Sequence, residues 1–147
     1  ARGKFWQEAS VASFIRDRIS GMEGERGGIV HRLDSATSGV MICAKNESTL
    51  SYLQKQFSER KVQKTYVAVV AGRPKLDVAI IDAPIARNPH DPKRFMVGEE
   101  GKTAQTEYSV LKTTDKYSTI ELHPKTGRTH QLRVHLQYLG LPIVTCW

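Results

Sequence analysis

The segment His31-Arg32-Leu33-Asp34-Ser35-Ala36-Thr37-Ser38-Gly39 lies between two short apolar runs, Ile29-Val30 before it and Val40-Met41-Ile42-Cys43 after it. Apolar run, polar cluster, apolar run predicts strand, turn, strand. In a strand entering the turn, Arg32 and Asp34 fall on one face and His31 and Leu33 on the other. A carboxylate is thus expected at the tip of a rigid element with a guanidinium beside it. Taken alone, the segment is read more simply as an Asp that opens a turn by bonding its own backbone.

Working outward, Val11, Phe14, Ile15, Ile19 and Met22 recur at helical spacing, which predicts a helix over residues 7 to 20. Gly27-Gly28 ends that pattern. Residues 47 to 59 predict a second helix, with Leu50, Leu53 and Phe57 on one face. An apolar strand around Tyr66 follows and stops at Gly72-Arg73-Pro74. Residues 73 to 101 are rich in proline, with Asn88-Pro89-His90-Asp91-Pro92 as the centre of a loop. Ile80-Ile81 and Phe95-Met96-Val97 are candidate short strands around it. Residues 103 to 111 and 117 to 122 alternate like an antiparallel pair. Residues 128 to 139 predict a helix stopped by Gly140. Strands with interspersed helices give an α+β class with a mixed, largely antiparallel sheet and flanking helices.

The chain has 147 residues, 39% hydrophobic and 25% charged, which fits one globular domain over residues 1 to 147. No apolar run approaches membrane-spanning length, so no membrane partner is expected. Twenty-two Lys and Arg against 15 Asp and Glu give a formal charge of +7. A basic surface draws polyanions, nucleic acid above all, and the charge is spread as a folded groove would spread it. Cys43 and Cys146 share no ligand or redox motif, and Cys43 is expected to be an inert core thiol.

Three blocks carry a resemblance. Residues 31 to 39, continuing to Ala44-Lys45, resemble the signature of the RluA-type pseudouridine synthases. Lys64-Thr65-Tyr66-Val67-Ala68-Val69-Val70-Ala71-Gly72 is similar to that family's tyrosine-bearing strand. Leu122-His123-Pro124-Lys125-Thr126-Gly127-Arg128-Thr129-His130-Gln131-Leu132-Arg133-Val134-His135-Leu136 is similar to its arginine-bearing segment, and Leu139-Gly140-Leu141-Pro142-Ile143 continues the match. The resemblance covers residues 20 to 143. It implies a pseudouridine synthase-like α+β fold, an RNA partner (ribosomal or transfer RNA), and a cytoplasmic or organellar setting. The family's usual pattern also has a preceding segment rich in Lys-Pro-Gly and a following acidic, glycine-containing turn with further strands. Neither is found here, so an incomplete fold is expected, as a monomer.

Conversion of uridine to pseudouridine breaks the N1–C1′ bond, turns the base and rejoins it through C5. No electron is transferred and no phosphate ester is cut, so no cofactor and no metal are expected. His123, His130 and His135 lack ligand spacing, and structural, backbone-binding or RNA-facing roles are expected for them. The chemistry needs a carboxylate, and the resemblance gives that role to Asp34. It either attacks C1′ or takes a proton from C2′. An ionised carboxylate away from water calls for a fixed cation, and the resemblance supplies Arg133. Tyr66 offers a flat face for an unstacked uracil, although an apolar strand also holds tyrosines simply as core. Arg32 is expected at the RNA. Thr37, Ser38 and Gly39 are expected to shape the turn behind Asp34. Arg128, Thr129, His130 and Gln131, at a helix start, are expected to bind phosphate or support the site. Two other functions compete with catalysis: a catalytically silent RNA-binding fragment of the same fold, and a basic structural protein.

Overall fold

Every second residue of Tyr66–Ala71, Val78–Asp82, Gln105–Thr113 and Tyr117–Pro124 is buried or half-buried on one face, as the period of two of a one-sided sheet requires. These are β1, β2, β5 and β6 in a computed structural model that describes residues 11–16 and 27–144. Two further strands, β3 (Ile85–Arg87) and β4 (Phe95–Val97), and three helices, α1 (Val11–Arg16), α2 (Glu47–Ser58) and α3 (Gln131–Tyr138), complete the described elements. The chain divides into two compact units, Ala1–Val62 and Gln63–Trp147.

In the second unit the sheet order is β1-β6-β5-β2, and every neighbouring pair is antiparallel. The expected pair over 103 to 111 and 117 to 122 is β5 and β6, each displaced by about two residues at its far end. A bulge at Leu111 shifts their register between Val110 and Lys112. Val70, Ile81, Tyr108, Ile120 and Leu122 of the inner face pack with Leu136 of α3 and with Leu141. Burying such a side chain contributes roughly 1.5–3 kcal/mol, so this face carries the stability of the unit. A smaller cluster, Ile85, Ala104 and Val134, joins the β3–β4 hairpin to α3. The outer face has a polar centre, with Glu107 paired to Lys125 and Glu121 to His123, flanked by exposed Val67 and Val69 on β1 and Val78 and Ile80 on β2. Pro142 to Val144 run along the free edge of β1, with the Ala71 N–H donating to the Pro142 carbonyl and the Val144 N–H to that of Val69.

In the first unit α2 forms where expected. Asn46 caps it by accepting from the Thr49 N–H at 2.8 Å, and Leu50, Leu53 and Phe57 are half-buried along one side. It ends in a left-handed residue, Arg60, with the Lys61 N–H reaching back to the Gln56 carbonyl and the Arg60 N–H to that of Phe57. Of the helix expected over 7 to 20, Val11–Arg16 is helical. Residues 7 to 10 and 17 to 20, and Cys146, lie outside the described residues.

Three expectations need correction. The strands expected on either side of Asp34 do not form as a ladder. The described chain there has a single antiparallel bridge, Ile29 to Cys43, and one further bond from the Ala44 N–H to the Gly28 carbonyl. The Ile42 N–H is taken instead by His31 Nε2, at 3.0 Å, so a side chain displaces the backbone partner a ladder would need. Cys43 closes that bridge half-buried rather than in a core strand, with its thiol pKa raised by burial. The helix expected from residue 128 begins at Gln131, because His130 is left-handed at φ 53 and cannot extend the helix backward. Its stop is as expected, with Gly140 at φ +72.

Candidate active site

Asp34 opens a tight turn: its backbone carbonyl accepts from the Thr37 N–H at 2.9 Å. The turn leaves the Asp34 side chain half-buried, Arg32, Ser38 and Gly39 exposed and Thr37 half-buried. Gly39 has φ +150, a conformation that L side chains rarely adopt, so the exit from the turn depends on glycine. Next to Arg32 in sequence, His31 stacks on Phe57 of α2, ring centroids 5.0 Å apart at 18°. With the Ile42 bond, that stack anchors the approach to Asp34. His31 was not singled out from sequence. The signal was its place in the face alternation, two residues from Leu33.

Tyr66 and Arg133 belong to the second unit. Tyr66 begins β1 on the inner face, opposite Leu122, half-buried against the core cluster. Arg133 is half-buried on α3. The second and third blocks of sequence meet where Lys64 Nζ donates to the Thr126 carbonyl at 3.2 Å, joining the entry of β1 to the loop before α3.

That loop and the first turn of α3 hold Arg128, Thr129, His130 and Gln131 together. Thr129 and His130 are exposed. His130 meets Phe95 edge-on at 6.0 Å, and Arg87 lies over the Phe95 ring at 5.2 Å. Arg128 Nε donates to the Thr103 carbonyl at 3.0 Å. Gln131 is buried, and its amide is filled on every side. Oε1 accepts from the Thr126 hydroxyl and the Arg128 N–H, while Nε2 donates to the Gln105 carbonyl and the Thr106 hydroxyl.

The network continues to His135, fully buried one helical turn on. The Ala83 carbonyl, 2.9 Å from Nε2, can only accept, so Nε2 carries the proton and Nδ1 accepts from the Thr106 hydroxyl at 2.9 Å. His135 is thus structural, one of the roles expected for it. Burial lowers its pKa below the usual 6.5, against smaller upward effects from the Ala83 hydrogen bond and the Asp82 charge. The folded protein therefore resists a proton that the unfolded chain accepts. This contribution to stability is complete above pH 6.5 and is lost as pH falls below it toward the lower folded value. The urea midpoint is expected to drop as pH falls through 6.5, and the His135 ring resonances to titrate below that value. A midpoint that rises there, or a ring that titrates normally, contradicts the assignment.

Among the described residues no group of three or more His, Cys, Asp and Glu is arranged to hold a metal ion, and no helix is long and apolar enough to cross a membrane. What the described residues present is an extended loop ending in a turn-borne carboxylate, and a sheet-and-helix unit with a tyrosine on its first strand and an arginine on its last helix.

Comparison with known proteins places these features. The RNA pseudouridylate synthase family matches residues 8–138. Ribosomal large subunit pseudouridine synthase D of Borreliella burgdorferi is 51% identical over 146 residues, 95% of this chain and 44% of the relative. Dual-specificity RNA pseudouridine synthase RluA of Yersinia pestis is 47% identical over 117 residues, 78% of this chain and 57% of the relative. Among solved structures, human RNA Pseudouridylate Synthase Domain Containing 1 superposes with a TM-score of 0.73 at 35% identity, covering 79% of this chain and 52% of that one. The chain spans about half the length of these relatives. Fold, sequence and the order of the three blocks agree, and the chain belongs to the RNA pseudouridylate synthase family, in its RluA-type branch.

Proposed function

We propose that the protein isomerises a specific uridine of structured RNA to pseudouridine, with Asp34 as its catalytic carboxylate and without a cofactor. The observation that carries this is the family match over residues 8–138, which spans all three blocks and so includes Asp34, Tyr66 and Arg133. In the reaction N1–C1′ breaks and C5–C1′ forms, C5 loses its proton and N1 regains one. Asp34 acts either by bonding C1′ or by removing the C2′ proton. Arg133 has the role of the cation for that carboxylate during the reaction, one that suits a group always charged and planar. Tyr66 stacks on the uracil once it leaves the RNA stack.

Arg32, exposed beside the turn, contacts the RNA, and Thr37, Ser38 and Gly39 hold the turn. Arg128, Thr129 and His130 stand near the phosphates, while Gln131 supports the helix from within. The substrate is ribosomal or transfer RNA, and the relative at 51% identity is named for the large ribosomal subunit. The protein acts as a monomer, with residues 1 to 147 serving as one catalytic domain, in the cytoplasm or an organelle where such RNA is made.

The test is pseudouridine formation in stem-loop RNAs, read by a mass-shift tag, with binding titrated against salt. Loop uridines are expected to react ahead of paired ones, and log affinity to fall linearly with log salt concentration. Binding without turnover would replace catalysis by RNA binding alone. Salt-independent binding would remove the basic surface from the argument.

Replacing Tyr66 divides its two roles. Phe keeps the stacking face, so RNA affinity is retained and turnover slows. Ala removes a stack of about 1–3 kcal/mol per base and loses both. Ala also lowers the unfolding midpoint, because the ring packs on the core cluster. Equal turnover for Phe and Tyr would leave Tyr66 as a platform only.

A further inference from the structure

Gln131 and His135 are four residues apart on α3, so their side chains leave the same face of the helix. Both are buried, at 4% and 0% exposure, and both bond the hydroxyl of Thr106 on β5, itself fully buried. Arg133 lies midway between them in sequence, about 200° around the helix from Gln131 at 3.6 residues per turn. The face that bonds the sheet and the face that carries the arginine are therefore opposed. With its rotation fixed by hydrogen bonds on one side, the helix has little freedom to move what it presents on the other.

We propose that Thr106, Gln131 and His135 are positioning residues for Arg133, a buried hydrogen-bonded lock that sets the rotation and height of α3 against β5. This rests on the role given to Arg133 above. Apolar packing by Val134 and Leu136 holds the helix down but is not directional, and such a contact tolerates sliding. The lock is directional. Its two donors and two acceptors at Gln131 are all used, and Thr106 donates to one helix residue while accepting from the other. A helix rotated by even a fraction of a residue breaks several of these bonds together. The reaction needs that accuracy, since a misplacement of about 1 Å can cost about a hundredfold in rate. The left-handed His130 fits the same account, because it starts the helix where the Gln131 amide can meet both the loop and β5.

The test compares Thr106→Val, which keeps the shape and removes the hydroxyl, with Thr106→Ser, which keeps the hydroxyl. Ser118→Ala is the control: Ser118 is equally buried and bonds the Gly72 carbonyl, away from α3. Two readouts are taken on the protein: kcat and KM for the stem-loop RNA, and the Nε–Hε nuclear resonance signal of Arg133, identified by its loss in Arg133→Lys. Thr106→Val is expected to lower kcat by about 10- to 100-fold with KM within about twofold, and to shift or broaden the Arg133 signal. Thr106→Ser restores both, and Ser118→Ala changes stability without changing either.

Should Thr106→Val not fold, the milder Thr126→Ala, which removes one of the four bonds to the Gln131 amide, shifts the same signal in the same sense. An unchanged Arg133 signal in a folded Thr106→Val or Thr126→Ala protein overturns the proposal, as does an equal loss of kcat in Ser118→Ala. Normal turnover by Arg133→Lys, whatever the signal does, overturns the role of Arg133 instead, so the two failures are told apart.

Discussion

Asp34→Asn abolishes isomerisation, with a loss of about 10⁴-fold or more, and leaves RNA affinity within about twofold. The expected separation of the two effects comes from the turn. The turn is closed by the backbone carbonyl of Asp34, with the Thr37 N–H as donor at 2.9 Å, and Asn is as well suited as Asp to open it. The neighbouring supports also survive, because His31 keeps its stack on Phe57 and its bond from Ile42. The variant therefore keeps the local shape and every basic side chain. It lacks only a group that can bond C1′ or accept the C2′ proton, since an amide does neither at neutral pH. Single-turnover kinetics on a stem-loop RNA, with a parallel binding titration, make the measurement. A rate within a tenth of the parent's would show that Asp34 is not the catalytic group.

Arg133→Ala comes second in size. If Arg133 is the cation for Asp34, as proposed, leaving that carboxylate without it once RNA closes over the site costs roughly 3–5 kcal/mol, which corresponds to a loss of about 200- to 5,000-fold in turnover. Arg133→Lys keeps the charge but not the planar fork and is expected to fall between. The double variant Asp34→Asn with Arg133→Ala supplies the discriminating measurement. If the two groups act on one another, the second change adds little once the first is made, because no charge remains to be countered. Fully additive losses in kcat would separate the two residues and assign Arg133 to RNA binding.

The order of the three blocks, the alternation of β5 and β6, the amphipathic α2 and the stop at Gly140 were all legible from the sequence. Each is local: a period of two or 3.6, or a glycine that stops a helix. The family resemblance was legible for the same reason, because its signatures lie in short contiguous runs. What was misread depended on partners distant in sequence. The segments around Asp34 have strand composition, yet His31, eleven residues from Ile42, takes the N–H that a strand would have used. The helix expected from residue 128 starts three residues later, after the left-handed His130, where the Gln131 amide bonds Thr126, Arg128, Gln105 and Thr106, two of them 26 and 25 residues away. Nor does composition distinguish His135 from His130. One is sealed between Thr106 and Ala83, the other exposed against Phe95. Sequence determined which residue types the chemistry has to work with, since a carboxylate, a phenol and a guanidinium are fixed by covalent identity. The tertiary structure decided which polar side chains are spent on holding the backbone, because a buried donor or acceptor must be satisfied by whatever the fold brings within 3 Å.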